Sequence, residues 1–172
     1  MFKRFRIMLA LFQALEKFLK FIVIVANGLM LLLVFIQVIT RYVFSFTPAW
    51  GEELSRYLFV WVVFLSLPLV ASYGGHMCIE TLTSRVHGKF LKTLNIAADV
   101  FSIVFLSIMV WYGGIMVARQ SIQLSPALQI PMSAVYVVIP FGCAVMLIYV
   151  IANLIKLLHT PADQVKHRLS EE

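Results

Sequence analysis

Apolar residues run through this chain in blocks too long for the core of a soluble domain. A helix crossing a hydrocarbon layer of ~30 Å needs about 20 predominantly apolar residues. Four stretches meet that length: Phe21–Thr40, Leu54–Tyr73, Leu94–Met116 and Met132–Ile155. The first and last carry no charge, the second none after Arg56, and the third only Asp99. None alternates apolar and polar positions, as the strands of a membrane barrel would. The pattern predicts an all-α membrane protein with four transmembrane helices.

The first twenty residues read differently. Phe2, Phe5, Met8, Leu9, Phe12, Leu15 and Leu19 recur at steps of three and four, while Lys3, Arg4, Arg6, Gln13, Glu16, Lys17 and Lys20 mostly fill the other face. This is the pattern of an amphipathic helix lying in the interface. Phe2, Phe5, Leu9 and Phe12 would sink into lipid, with Arg4 and Arg6 beside anionic headgroups. A helix that simply extends the first span is the alternative. The expected organisation is an interfacial arm over 1–20, a four-helix transmembrane bundle over 21–155 and a polar tail over 156–172. A cleaved leader fits less well, because its apolar region would stop after about 7–15 residues.

Loop charges orient the helices. Eleven Lys and Arg fall in the N-terminal arm, the loop after the second span and the tail, against three (Arg41, Arg56 and Arg119) on the other side. Basic loops stay inside, so both termini are expected to be cytoplasmic, and the opposite side is periplasmic or extracellular.

Composition sharpens the reading. Of 172 residues 62% are hydrophobic and 13% charged, and the mean hydropathy is +0.95. So few charges cannot cover a globular surface, which excludes a soluble enzyme, a disordered chain and a disulfide-stapled secreted domain. The net charge of +6 would suggest nucleic acid in a soluble chain. Here the basic residues flank apolar runs, so the lipid bilayer is the expected partner and nucleic acid is not. Cys78 and Cys143 form no CxxC pair and no metal spacing. His76, His87, His159 and His167 lie at or beyond the cytoplasmic ends of spans, whereas a membrane haem needs axial ligands within them, which disfavours a b-type cytochrome subunit. No nucleophile, base and orienting group come together, and no phosphate loop is present. Neither catalysis nor a cofactor or metal of its own is expected.

The densest polar cluster is Thr47-Pro48-Ala49-Trp50-Gly51-Glu52-Glu53-Leu54-Ser55-Arg56. Thr47 can cap and Pro48 can open the second helix. Glu52 and Glu53 would sit in its first turns, where the helix dipole favours anions. Glu52 and Arg56, four apart, can pair on one face. One reading is a capped helix end with an aromatic belt. The other is a docking surface for a second membrane subunit, built from Trp50, Glu52, Glu53, Arg56 and Trp61, since charges at the bilayer edge are costly unless paired. Asp99 is expected to make a structural polar contact between helices. Pro131 can sit at the first turn of the last span, and Pro68 and Pro140 fall inside spans, each freeing a carbonyl.

Trp50, Glu52-Glu53, Arg56, Trp61 and Phe64 together resemble the small membrane subunit (Q type) of tripartite ATP-independent periplasmic (TRAP) transporters. Gly74-Gly75-His76 followed by Glu80 resembles that family's next signature, although its members often carry Asp at the last position and Arg before the glycines. Ser125-Pro126-Ala127-Leu128-Gln129-Ile130-Pro131-Met132, then Tyr136 and Ile139-Pro140-Phe141-Gly142, look like its last helix. The resemblance implies a non-catalytic subunit of a sodium-coupled carboxylate importer, of C4-dicarboxylate or sialic acid type. Its partners would be a large multi-spanning membrane subunit, which carries sodium and substrate on an elevator-like domain, and a periplasmic substrate-binding protein. This chain would enlarge the fixed scaffold, with His76, Glu80 and Asp99 in structural polar roles. Two other classes stay open: an autonomous oligomeric four-helix transporter or channel, and a redox-complex anchor binding haem or quinone.

Overall fold

The computed structural model describes residues 2–46, 48–72 and 89–159, with side chains from residue 14 in the first of these and from residue 92 in the last. The helices are α1 (Phe2–Phe44), α2 (Ala49–Ser72), α3 (Lys89–Arg119), α4 (Met132–Tyr136) and α5 (Val138–His159). Among the described residues there is no strand, only an isolated antiparallel bridge between Leu124 and Pro131. Four stretches are long and apolar enough to cross a membrane: Ala14–Phe44, Ala49–Ser72, Lys92–Arg119 and Met132–His159. Helix is the expected solution, because hydrocarbon offers no partner to backbone N–H and C=O groups and a helix pairs them within one segment.

α1 has 43 residues without interruption, a length of about 65 Å at 1.5 Å per residue. No break falls at residue 20, where the arm was expected to end. Packing also begins before the first uncharged run. Leu19 is 2% exposed in a core cluster, and the Ser72 hydroxyl donates to Glu16 Oε1 at 3.2 Å. Lys17 and Lys20 are exposed, and the apolar helix that begins at Ala14 includes them. Phe2, Arg4, Phe5, Arg6, Leu9 and Phe12 lie on this helix, but their side chains lie outside the described residues.

Across the molecule the order of packing is α1, α2, the α4–α5 span, then α3. α1 and α2 are antiparallel, with Glu16 beside Ser72 at one end and Gln37 beside Gly51 at the other. Two apolar clusters flank the central α2–α5 pair. On the α1 side Leu19, Leu65, Leu69, Val138 and Val145 are buried together. On the α3 side the buried residues are Leu106, Cys143 and Val150. Phe64 packs against both clusters.

Prolines and glycines set how closely the central helices approach. Pro68 lies inside α2 and is fully buried. Lacking an N–H, it leaves the Phe64 carbonyl without its helical donor. Gly142 of α5 lies directly on that carbonyl: a Cβ there would fall 2.9 Å from the Phe64 carbonyl carbon and closer still to its oxygen. Pro140 acts on the other side. It withdraws the donor from Tyr136, where α4 ends, and its ring lies 3.3 Å from the Cβ position of Gly113 on α3. Small residues facing bulky backbone features are how transmembrane helices approach without a hydrophobic drive between them. Pro131 stands one place earlier than the first helical turn, as the extended N-cap of α4 (φ −64°, ψ 129°).

Candidate functional site

The polar cluster at the start of α2 meets the loop that joins α3 to α4. Adjacent positions on a helix point about 100° apart, and Glu52 and Glu53 consequently have different fates. Glu52 turns outward and pairs with Arg56 at 3.2 Å, both side chains exposed. Glu53 turns inward. Its Oε1 accepts the Tyr57 hydroxyl at 2.8 Å. Its Oε2 accepts the Ser125 hydroxyl at 3.2 Å and the backbone N–H groups of Ala127 at 3.0 Å and Leu128 at 2.8 Å.

The loop is shaped to present those donors. The Ser125 N–H donates to Ile130 O at 2.9 Å, and the Gln129 N–H to Ser125 O at 3.2 Å. Gln129 takes a left-handed backbone (φ 55°), which closes the turn. The Met132 N–H donates to Gln123 O at 2.9 Å, joining the loop's two stems. Consecutive N–H groups and a hydroxyl converging on one point form a small anion receptor, and the Glu53 carboxylate fills it. Ser125 is fully buried beneath. Bonds to a charged acceptor are stronger than those between neutral groups. The arrangement is a clamp that fastens the α3–α4 loop to α2. Tyr57 extends it, its hydroxyl lying 3.5 Å from Met132 Sδ.

Of the residues singled out in the sequence, the structure gathers Glu52, Glu53 and Arg56 at this end, with Trp50 half exposed beside them. Thr47 lies outside the described residues. Trp61 stands deeper, lining an apolar groove of about 260 Å³ with Leu15, Phe18, Val137 and Phe141. Asp99 is remote from the clamp, near the opposite end of α3. It is 1% exposed and accepts the Asn153 Nδ2–H at 3.1 Å, a polar contact between α3 and α5. His76 and Glu80 lie outside the described residues. Ser125, Ala127 and Leu128 were not singled out as partners of Glu53. The available signal was a Ser-Pro turn whose N–H groups need an acceptor. Among the described residues no cluster of metal-ligating side chains occurs.

Residues 30–160 match the family described as "Tripartite ATP-independent periplasmic transporters, DctQ component". The chain belongs to this DctQ family. The chain is 28% identical over 121 residues to a putative TRAP transporter small permease protein of Haemophilus influenzae, covering 70% of both proteins. It is 25% identical over 107 residues to the isethionate TRAP transporter permease protein DctMQ of Oleidesulfovibrio alaskensis. That match covers 61% of this chain but only 17% of the relative. Protein y4mM of Sinorhizobium fredii is 28% identical over 167 residues, 93% of this chain and 29% of that protein. The chain therefore spans less than a third of two of these relatives. It is a multi-pass membrane protein with four long apolar helices, in a family of TRAP transporter small permease components.

Proposed function

We propose that the chain is the small membrane subunit of a sodium-coupled importer that takes its solute from a soluble periplasmic binding protein. Membership of residues 30–160 in the DctQ family carries this reading. The chain itself catalyses no reaction and needs no cofactor; sodium and solute belong to the large membrane subunit. The solute is a small water-soluble anion, a carboxylate of C4-dicarboxylate or sialic acid type. The relative named for isethionate, a sulfonate, fits the same anionic class.

The membrane is the bacterial inner membrane, with both termini cytoplasmic. The eleven-to-three distribution of Lys and Arg supports that orientation. The Glu53 clamp then lies at the periplasmic face, where solute arrives. Its role is mechanical. By fastening the loop to α2 it gives the large subunit a surface that holds its shape while an elevator-like transport domain moves. Trp50, Glu52, Arg56 and Trp61 are the docking residues, and Glu53 keeps the surface on which they stand in place.

The test is uptake by the assembled system. The chain and its large subunit are reconstituted in liposomes with binding protein loaded with labelled succinate or sialic acid, under an inward sodium gradient. Uptake is expected to need all three proteins and the gradient. Replacing Trp50, Glu52 and Arg56 with Ala should lower uptake at least ten-fold without moving the chain's own melting temperature. Flux through the chain alone would overturn the reading in favour of an autonomous channel.

A further inference from the structure

Given the subunit reading, we infer that the exposed face of α1 centred on Asn27 packs against a transmembrane helix of the large membrane subunit.

Asn27 lies midway between the Glu16–Ser72 and Gln37–Gly51 contacts of α1 with α2. Each contact is about 16 Å away along the helix, so Asn27 sits at the middle of the span. Its side chain is exposed. Around it on the same side are Ile24, Leu31 and Phe35, each about 60% exposed. α1 ends the row of described helices, and among them none covers that side.

A carboxamide carries two N–H donors and a carbonyl acceptor. Hydrocarbon offers nothing to any of them. Among the described residues the Asn27 side chain makes no hydrogen bond. Two hydroxyls in the other spans behave differently. Ser66 donates to the Val62 and Val63 carbonyls of its own helix, and Ser107 to Ile103 O at 2.7 Å. Those residues are compatible with a lipid neighbour, whereas an asparagine amide at mid-membrane calls for a partner helix.

Gly28 adds shape to this chemistry. A Cβ built there meets nothing within 4 Å, so a notch lies next to the amide. A polar group beside a small one is the composition of close helix contacts in membranes. The occupant follows from the relatives. In the DctMQ protein the matched part is 17% of one polypeptide, so there a related segment is covalently joined to the far larger rest of a TRAP transporter permease. That neighbour, rather than a second copy, is at hand for an uncovered edge helix. The helix that docks there carries a hydrogen-bonding side chain at mid-depth.

The assembled transporter in its native membrane tests this. The photo-crosslinker p-benzoylphenylalanine is placed at Asn27, at Leu31 on the same face, and at Phe101 on α3, which is 75% exposed. After irradiation, adducts are identified by mass spectrometry. Adducts to the large subunit from 27 and 31 are expected at ten times or more the yield from 101. Equal or greater capture from 101, or lipid adducts alone at 27 and 31, would overturn the assignment of this face and leave the subunit reading intact. Adducts between two 19.6 kDa chains would overturn it in favour of a homodimer. Failure of the large subunit to co-purify with the unsubstituted chain would instead sink the subunit reading itself. In a second test, Asn27→Leu should cut co-purification at least five-fold and Asn27→Gln should retain it, with the melting temperature of the isolated chain unchanged. Full co-purification of the leucine variant would also overturn the inference.

Discussion

The first and last spans are alike in sequence and opposite in circumstance. Both are long, apolar and uncharged through their middles. Yet 33% of the apolar window in Met132–His159 is buried, against 6% in Ala14–Phe44. In water such a difference would show as an amphipathic stripe. In lipid it does not, because hydrocarbon and a neighbouring helix are equally welcoming to Leu or Phe. What separates the two spans is a handful of small and polar residues: Pro140, Gly142 and Asn153 on the last, Asn27 and Gly28 on the first. The glycines give the sharpest contrast. Gly142 has a backbone carbonyl where its Cβ would be, and Gly28 has open space.

The largest effect should come from Gly142→Val. The added carbons have no flexible side chain to displace, only the Phe64 backbone, so α2 and α5 must move apart. Overpacking costs about 1–3 kcal/mol where side chains can yield, and here a loss of about 3 kcal/mol is expected. Thermal unfolding in detergent, followed by the fluorescence of Trp50, Trp61 and Trp111, checks it. A wild-type midpoint would mean that the central pair is packed more loosely than the structure has it.

Glu53→Ala comes next. It strips the acceptor from two backbone N–H groups and two hydroxyls at once. Water at the bilayer edge recovers part of that, so the net loss should be smaller than that of Gly142→Val. The damage should be local. Trypsin should cut after Arg119, at the stem of the loop, several times faster than in the parent chain. Glu52→Ala, one residue away, removes only an exposed i,i+4 pair worth about 0.3–0.5 kcal/mol and should leave that rate unchanged.

These two glutamates also mark how far sequence reading reached. Their place at the start of a helix, and the Glu52–Arg56 pair, were legible because both depend on residues at most four apart. The number of spans was legible because length and hydropathy set it. Apart from Tyr57, the partners of Glu53 lie 72 to 75 residues away, and two of those three donors are backbone groups that any residue carries. The Ser-Pro turn was the one local sign of them. The row-like packing was hidden for the reason that separates the two end spans: apolar all-round helices carry no marker of which side meets protein. Asp99 fell between these cases. A polar contact between helices was the expectation for it, and its partner Asn153, on a distant helix, was not named by the sequence.

A smaller effect is expected at that pair. A double-mutant cycle on Asp99→Ala and Asn153→Ala should give a coupling of about 0.5–1.5 kcal/mol, the range of hydrogen bonds between membrane helices. Unfolding midpoints of the four proteins measure it. A coupling of zero would mean that the hydrogen bond between the two side chains adds no stability to the α3–α5 contact.

Gly28→Ala closes the comparison, because it places the same kind of addition on the opposite kind of surface. Nothing stands within 4 Å of the new methyl group, and alanine loses less backbone freedom than glycine in a helix interior. The isolated chain should therefore be unchanged or more stable by at most about 0.8 kcal/mol, the reverse of what Gly142 shows. In the assembled transporter the sign should turn, since the methyl group would fill the notch into which a partner helix fits. Melting the chain alone and then in the complex separates the two. Stabilisation in both would mean that the α1 face is bathed in lipid. Destabilisation in both would mean that this face of α1 is already packed within the chain, and that the contrast between the two end spans is smaller than their burial implies.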